Sequence, residues 1–193
     1  MERVRIIAGQ FRSRKLIAPD GLKTRPTSDR LRETLFNVLQ PRIGGAVFAD
    51  LYAGSGAVGL EALSRDAKHV HFAENAKPPL IALRENAGSL GLKEGVDHTV
   101  HMRGVEVALR AMAEAGTKLD LVFLDPPYEA MDELSGTLVL LATLPVLADG
   151  AVVIAEHSRK QSPPESVEAL VRYRLLRQGD AALSFYTMQG DSD

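Results

Sequence analysis

Cysteine is absent from this chain of 193 residues. That excludes disulfides, thiolate metal sites and thiol catalysis. No uncharged apolar run approaches the ~18–20 residues of a membrane span, so no membrane partner is expected. The N-terminal Met1-Glu2-Arg3-Val4-Arg5 lacks the apolar core of a secretory signal. A cytoplasmic location is the expectation. Internal repeats and low-complexity tracts are missing as well. What remains is ordinary globular composition, 45% hydrophobic and 25% charged, enough for one domain with a full core and a small appendage.

Net charge is only −2, which by itself argues against a nucleic-acid binder. Its distribution argues the other way. Residues 1–42 hold ten Lys/Arg against four acids, so this segment is +6 and the rest of the chain −8. A basic arm on an acidic body is an electrostatic footprint for phosphate. Arg5, Arg12, Arg14, Lys15, Arg25, Thr27 and Arg30 are the candidate contacts to RNA or DNA.

Local pattern divides the chain into a basic N-terminal β-hairpin extension (1–24), a main domain (25–189) and a frayed tail (190–193). Residues 5–8 and 15–17 read as the hairpin strands around Gly9-Gln10. Ser28 or Asp29 caps a helix to about Leu39, with Leu31, Leu35, Val38 and Leu39 on its apolar face. Strands at 46–51, 69–73, 99–103, 119–124 and 151–155 then alternate with helices at 58–65, 78–90, 105–115 and 131–144. Such alternation implies βαβ units in an α/β fold with a doubly wound, mostly parallel sheet. Residues 171–177 and 182–188 flank Gln178-Gly179-Asp180 and read as an antiparallel C-terminal hairpin.

Asp50-Leu51-Tyr52-Ala53-Gly54-Ser55-Gly56-Ala57-Val58-Gly59 follows the first strand and opens a helix. Its glycines match G-x-G-x-x-G, a weak dinucleotide signal when alone. Asp50, four residues before the first glycine, would repel a pyrophosphate but suits an ammonium. Glu74, at the end of the second strand, is placed to accept from ribose hydroxyls, with Asn75 beside it. Gly104 and Val105, after the third strand, lie where an adenine would be gripped. The five histidines, His69, His71, His98, His101 and His157, form no ligand set, and no metal is expected.

Asp125-Pro126-Pro127-Tyr128 follows an apolar strand, residues 119–124. The prolines stiffen the turn and remove two N–H donors. A carboxylate and a proline carbonyl are then both acceptors, suited to the two protons of a nucleobase amino group. Tyr128 is suited to stack on the base. A strand-ending turn with a capping Asp is the alternative.

The glycine loop, Glu74 and Asp-Pro-Pro-Tyr together resemble the amino-group class of S-adenosylmethionine-dependent methyltransferases, whose Rossmann-like sheet ends in an antiparallel hairpin. Residues 5–16 and Arg25-Pro26-Thr27-Ser28-Asp29-Arg30-Leu31-Arg32-Glu33-Thr34-Leu35-Phe36-Asn37 are similar to the RsmD family of 16S ribosomal RNA guanine 2-amino methyltransferases. The resemblance covers nearly the whole chain. It implies 16S rRNA in the small ribosomal subunit as substrate and S-adenosyl-L-methionine as cofactor; no obligate protein partner is inferred. It assigns the cofactor to Asp50, Gly54, Gly56 and Glu74; Tyr52, Asn75, Gly104 and Val105 join them as candidate cofactor contacts by their place after the first three strands. The guanine amino group falls to Asp125 and Pro126, with Pro127 and Tyr128 completing the catalytic turn. Asn75-Ala76-Lys77 lacks the second acid often found after the ribose-binding Glu, and Ala8-Gly9 replaces a double glycine. Action on DNA adenine or a protein amide, a non-catalytic assembly role and a nicotinamide oxidoreductase are the alternatives.

Overall fold

The computed structural model describes residues 4–18, 28–127 and 130–190. The chain divides into two compact units, Met1–Gly104 and Val105–Asp193.

In the first unit, residues 4–17 turn back on themselves as expected, but without regular strands. One antiparallel bridge, Arg5↔Lys15, pins the hairpin, supported by Ile6 N–H to the Arg14 carbonyl and Leu16 N–H to the Val4 carbonyl, both at 2.9 Å. The ladder stops because the next amides, Ile7 and Ala8, donate instead to Glu61 at 2.7 and 3.0 Å. The basic stretch is therefore built into this unit. Gly9 adopts φ +82°, and a Cβ there would lie 1.7 Å from the Ser64 carbonyl oxygen, so only glycine fits.

Helix α1 (Asp29–Leu39) starts where Ser28 Oγ accepts from Leu31 N–H. It buries Leu31, Arg32, Leu35, Phe36 and Leu39. Val38, expected on that face, is only half-buried. Arg32 is buried because its guanidinium donates to the Arg5 carbonyl at 2.8 Å and to Asp29 at 2.6 Å, tying α1 to the hairpin.

The chain continues through β1 (Val47–Leu51), α2 (Ala57–Ser64), β2 (His69–Ala73), α3 (Lys77–Ser89) and β3 (His98–His101). The strands are parallel in the order β3-β2-β1. Phe48, Leu51, Val70 and Phe72 are fully buried. Gly59 lets α2 approach β2: a Cβ at Gly59 would lie 2.2 Å from the Phe72 ring. β3 ends two residues earlier than expected.

The second unit runs α4 (Val105–Glu114), β4 (Leu119–Leu124), α5 (Met131–Thr143), β5 (Leu147–Ser158), β6 (Ser166–Val167), β7 (Leu170–Gln178) and β8 (Ala181–Met188). Its strands lie in the order β4-β5-β8-β7-β6. β4 and β5 are parallel, and β5, β8, β7 and β6 pair antiparallel in turn. The C-terminal hairpin is as expected. β5 is longer than its apolar stretch, and β6 is a two-residue edge strand that its composition does not announce. Leu121, Val122, Phe123 and Leu124 are buried, so β4 is a core strand that delivers Asp125 at its end.

Candidate functional site

Three residues of the glycine loop hold positive φ: Tyr52 (+69°), Gly54 (+56°) and Gly56 (+81°). For tyrosine this is a costly conformation, and side chains from several elements hold it. Asp50 on β1 is 2% exposed and accepts from Gly59 N–H at 2.8 Å, so it pins the first turn of α2. Glu74 accepts from Gly54 N–H at 2.9 Å through one oxygen, and from Asn75 and Ala76 N–H at 2.8 Å through the other. Asn86 on α3 donates to the Ser55 carbonyl at 3.0 Å. Burial pushes the Asp50 carboxyl up to about 8; the Gly59 amide opposes that rise and the nearby Glu74 charge adds to it.

The glycines have separate duties. Gly56 caps α2 in the left-handed region, where a Cβ would press on Leu83 at 2.2 Å. Gly59 serves packing. A Cβ at Gly54 would meet nothing within 4 Å, so the backbone there faces open space beside the half-buried Glu74 carboxylate. An open backbone beside a half-buried carboxylate, with a buried acid at the strand end, is a donor and acceptor set that would suit an adenosyl cofactor carrying an ammonium. Asn75 is exposed. Gly104 is exposed at the end of the first unit, and Val105 opens α4 in the second, half-buried.

In the second unit, Asp125 is half-buried, Pro126 buried and Pro127 exposed. The Pro127 carbonyl accepts from Ala130 N–H at 2.8 Å, closing the turn into α5. That oxygen serves the fold. Tyr128 lies outside the described residues, as do Arg25 and Thr27.

Arg5, Arg12, Arg14, Lys15 and Arg30 are all exposed. Arg5 pairs with Asp29 at 3.2 Å, and Arg14 donates to the Ser89 carbonyl at 2.6 Å. Arg12 lies in the hairpin turn, and Arg14 and Lys15 follow it. The histidines of β2 and β3 interact with one another: His71 and His101 are 3.2 Å apart, and His69 is 3.0 Å from Thr99 Oγ1. Burial holds His71 down at about 4, and the His69 and His101 charges add to that. Among the described residues no group of three or more His, Cys, Asp or Glu could hold a metal ion. No helix among them is long and apolar enough to cross a membrane.

Glu61, Ser64 and Asn86 are buried polar residues that sequence reasoning missed. The signal was present. Asn86 falls at helical spacing from Ala82 and Leu83, and Glu61 interrupts an apolar helix, so each is a polar residue in an inward-facing stripe.

The fold is that of a Rossmann-like, class I methyltransferase. Residues 4–187 match the family model described as Conserved hypothetical protein 95. Ribosomal RNA small subunit methyltransferase D of Escherichia coli K12 is 38% identical over 192 residues, 98% of this chain and 93% of its own length. YlbH of Bacillus subtilis 168 is 34% identical over 187 residues, covering 97% of this chain and all of YlbH. The solved structure of yhhF from Escherichia coli superposes with a TM-score of 0.83 at 35% identity, covering 97% of this chain and 99% of that one. The chain belongs to the family of ribosomal RNA small subunit methyltransferase D, the RsmD family.

Proposed function

We propose that the protein transfers a methyl group from S-adenosyl-L-methionine to the 2-amino group of one guanine in the 16S rRNA of the small ribosomal subunit. The observation that carries the amino-group reading is the Asp125-Pro126 acceptor pair on a stiff turn at the end of a buried strand; the choice of guanine and of 16S rRNA rests on membership of the family. Bound S-adenosylmethionine supplies a methyl group made electrophilic by its sulfonium. Glu74 would accept from the ribose hydroxyls, and the open backbone at Gly54 would lie against the ligand. Asp50 faces the ammonium.

An exocyclic guanine amine is a poor nucleophile because its lone pair is delocalised into the ring. The Asp125 carboxylate and the Pro126 carbonyl accept its two N–H protons, which favours tetrahedral geometry at nitrogen and frees the lone pair. Positioning of this kind supplies most of the acceleration. The nitrogen carries an extra proton after alkylation, and Asp125 or water takes it. The target base leaves its stack, or already lies in an open loop, to reach this turn. Tyr128 stacks on it. Arg5, Arg12, Arg14, Lys15, Arg25, Thr27 and Arg30 contact the RNA.

The test uses radiolabelled S-adenosylmethionine with small subunits, and separately with naked 16S rRNA, from cells lacking the modification. Digestion to nucleosides follows, with Asp125→Ala alongside. Label in one 2-methylguanosine, lost in the variant, is the expected result. Label in another nucleoside, or in no RNA despite measured cofactor binding, overturns it.

A further inference from the structure

The basic hairpin and the cofactor loop meet the same buried side chain. Asn86 on α3 is 1% exposed and lies within the first unit. Its Oδ1 accepts from Ile17 N–H at 2.7 Å, and its Nδ2 donates to the Ile17 carbonyl and to the Ser55 carbonyl, both at 3.0 Å. Ile17 ends the returning arm of the hairpin. Ser55 stands between Gly54 and Gly56. Both donors of one amide are thus divided between the two regions, so the side chain cannot reorient for one without releasing the other.

A second strap runs through α2, the helix that the loop opens. Glu61 accepts from Ile7 and Ala8 N–H. Ser64 Oγ accepts from Phe11 N–H at 3.0 Å and donates to the Ala8 carbonyl at 2.6 Å. Arg14 adds a bond from the hairpin to Ser89 at the end of α3. The hairpin is therefore fixed to both helices that flank the loop, and Asn86 alone among these groups touches loop and hairpin directly.

We infer that Asn86 is a positioning residue that makes the RNA-contacting hairpin and the cofactor loop one mechanical unit, so that RNA and cofactor change each other's affinity. The RNA half of this inference rests on the proposed function. By linkage the effect is reciprocal: whatever RNA does to cofactor affinity, cofactor does to RNA affinity.

S-Adenosylhomocysteine, which does not turn over, is the probe. Its dissociation constant is measured by equilibrium dialysis, alone and with saturating unmethylated small subunits, for the wild type and Asn86→Ala. The wild-type ratio is expected to be at least about fivefold. In the variant it falls close to one, while cofactor and subunits each still bind. A lost hydrogen bond that merely loosened the fold would weaken both affinities and leave the ratio; an unchanged ratio overturns the inference. Hydrogen exchange on the wild type decides the link without any variant and without RNA. S-Adenosylhomocysteine is expected to slow exchange of the Ile7, Ala8 and Ile17 amides, and unaltered exchange there overturns the mechanical link. Wild type that binds the probe but no small subunit sinks the functional reading and the RNA half, while exchange still judges the link.

Discussion

The glycine loop and the Asp-Pro-Pro turn achieve rigidity by opposite means. The loop between β1 and α2 holds three residues at positive φ and relies on Asp50, Glu74 and Asn86, side chains from three other elements, to keep them there. The turn after β4 uses two prolines, whose rings fix φ covalently, and among its described residues a local bond from Ala130 closes it. A loop that adopts costly angles fails when a distant side chain is removed. A proline turn tolerates such losses, and what it presents is chemistry. Damage to the loop should therefore appear as lost stability and cofactor binding. Damage to the turn should appear as lost catalysis.

The largest effect is expected at the turn. Asp125→Asn replaces an acceptor-only group by an amide that presents donors to the incoming amine. Methylation should fall by about 100-fold or more, with S-adenosylhomocysteine affinity retained. Single-turnover assays beside dialysis measure both, and parallel losses in the two would erase the contrast between loop and turn.

Next comes a pair within the loop. Gly56→Ala forces a Cβ into the left-handed region and against Leu83, and should cost about 2–4 kcal/mol. Gly54→Ala meets no atom within 4 Å, so only backbone strain of about 1–2 kcal/mol applies, and its main loss should be cofactor affinity. Denaturant melts and dialysis separate the two. If Gly54→Ala proved the less stable, Gly54 would not be the position that faces the ligand.

What the sequence made legible follows from which forces are local. An apolar run ending in Asp-Pro-Pro announces a buried strand and a stiff turn. The Ser28 cap and the glycines after β1 are equally local. Asn86, Glu61 and Ser64 act on partners far along the chain, such as Ile17 and Phe11. Local pattern showed them only as polar interruptions of apolar faces. The same long-range bonds explain the hairpin: Glu61 takes amides that a regular strand would have paired. The burial of Arg32 depends on the Arg5 carbonyl, a partner that no helical periodicity encodes.

Two groups near the loop should give the first unit opposite pH responses. Asp50, raised to about 8, stabilises the fold fully below the ordinary carboxylate range and loses that contribution as pH rises through 8. His71, lowered to about 4, stabilises above its ordinary value of 6.5 and loses that contribution as pH falls through 4. Between pH 6.5 and about 8 Asp50 acts alone of this pair, with a slope approaching about 1.4 kcal/mol per pH unit that vanishes above 8. Asp50→Asn should remove the alkaline decline and steepen the acid one, because Asp50 gains as pH falls over the range where His71 loses; His98 and His101, also lowered by burial, share the acid decline. A bound ammonium would favour the Asp50 carboxylate, so wild-type cofactor affinity should rise with pH toward 8 and flatten in Asp50→Asn. Parallel stability curves for the two proteins between pH 6.5 and 9 would place the alkaline response elsewhere.

The smallest effect tests whether the turn's stiffness is intrinsic. Pro127 is exposed, and its carbonyl already serves Ala130. Pro127→Ala keeps that acceptor and the Asp125-Pro126 pair, and alters mainly the freedom of the unfolded chain. Destabilisation of about 0.4–1 kcal/mol is expected, with methylation close to wild type. Thermal melts and initial rates measure it. A large loss of rate with little loss of stability would mean that the second proline, and not Pro126 alone, holds the acceptors in place. In that case the turn depends on an outlying residue much as the cofactor loop depends on Asn86, and the two regions would differ less in design than their hydrogen bonds suggest.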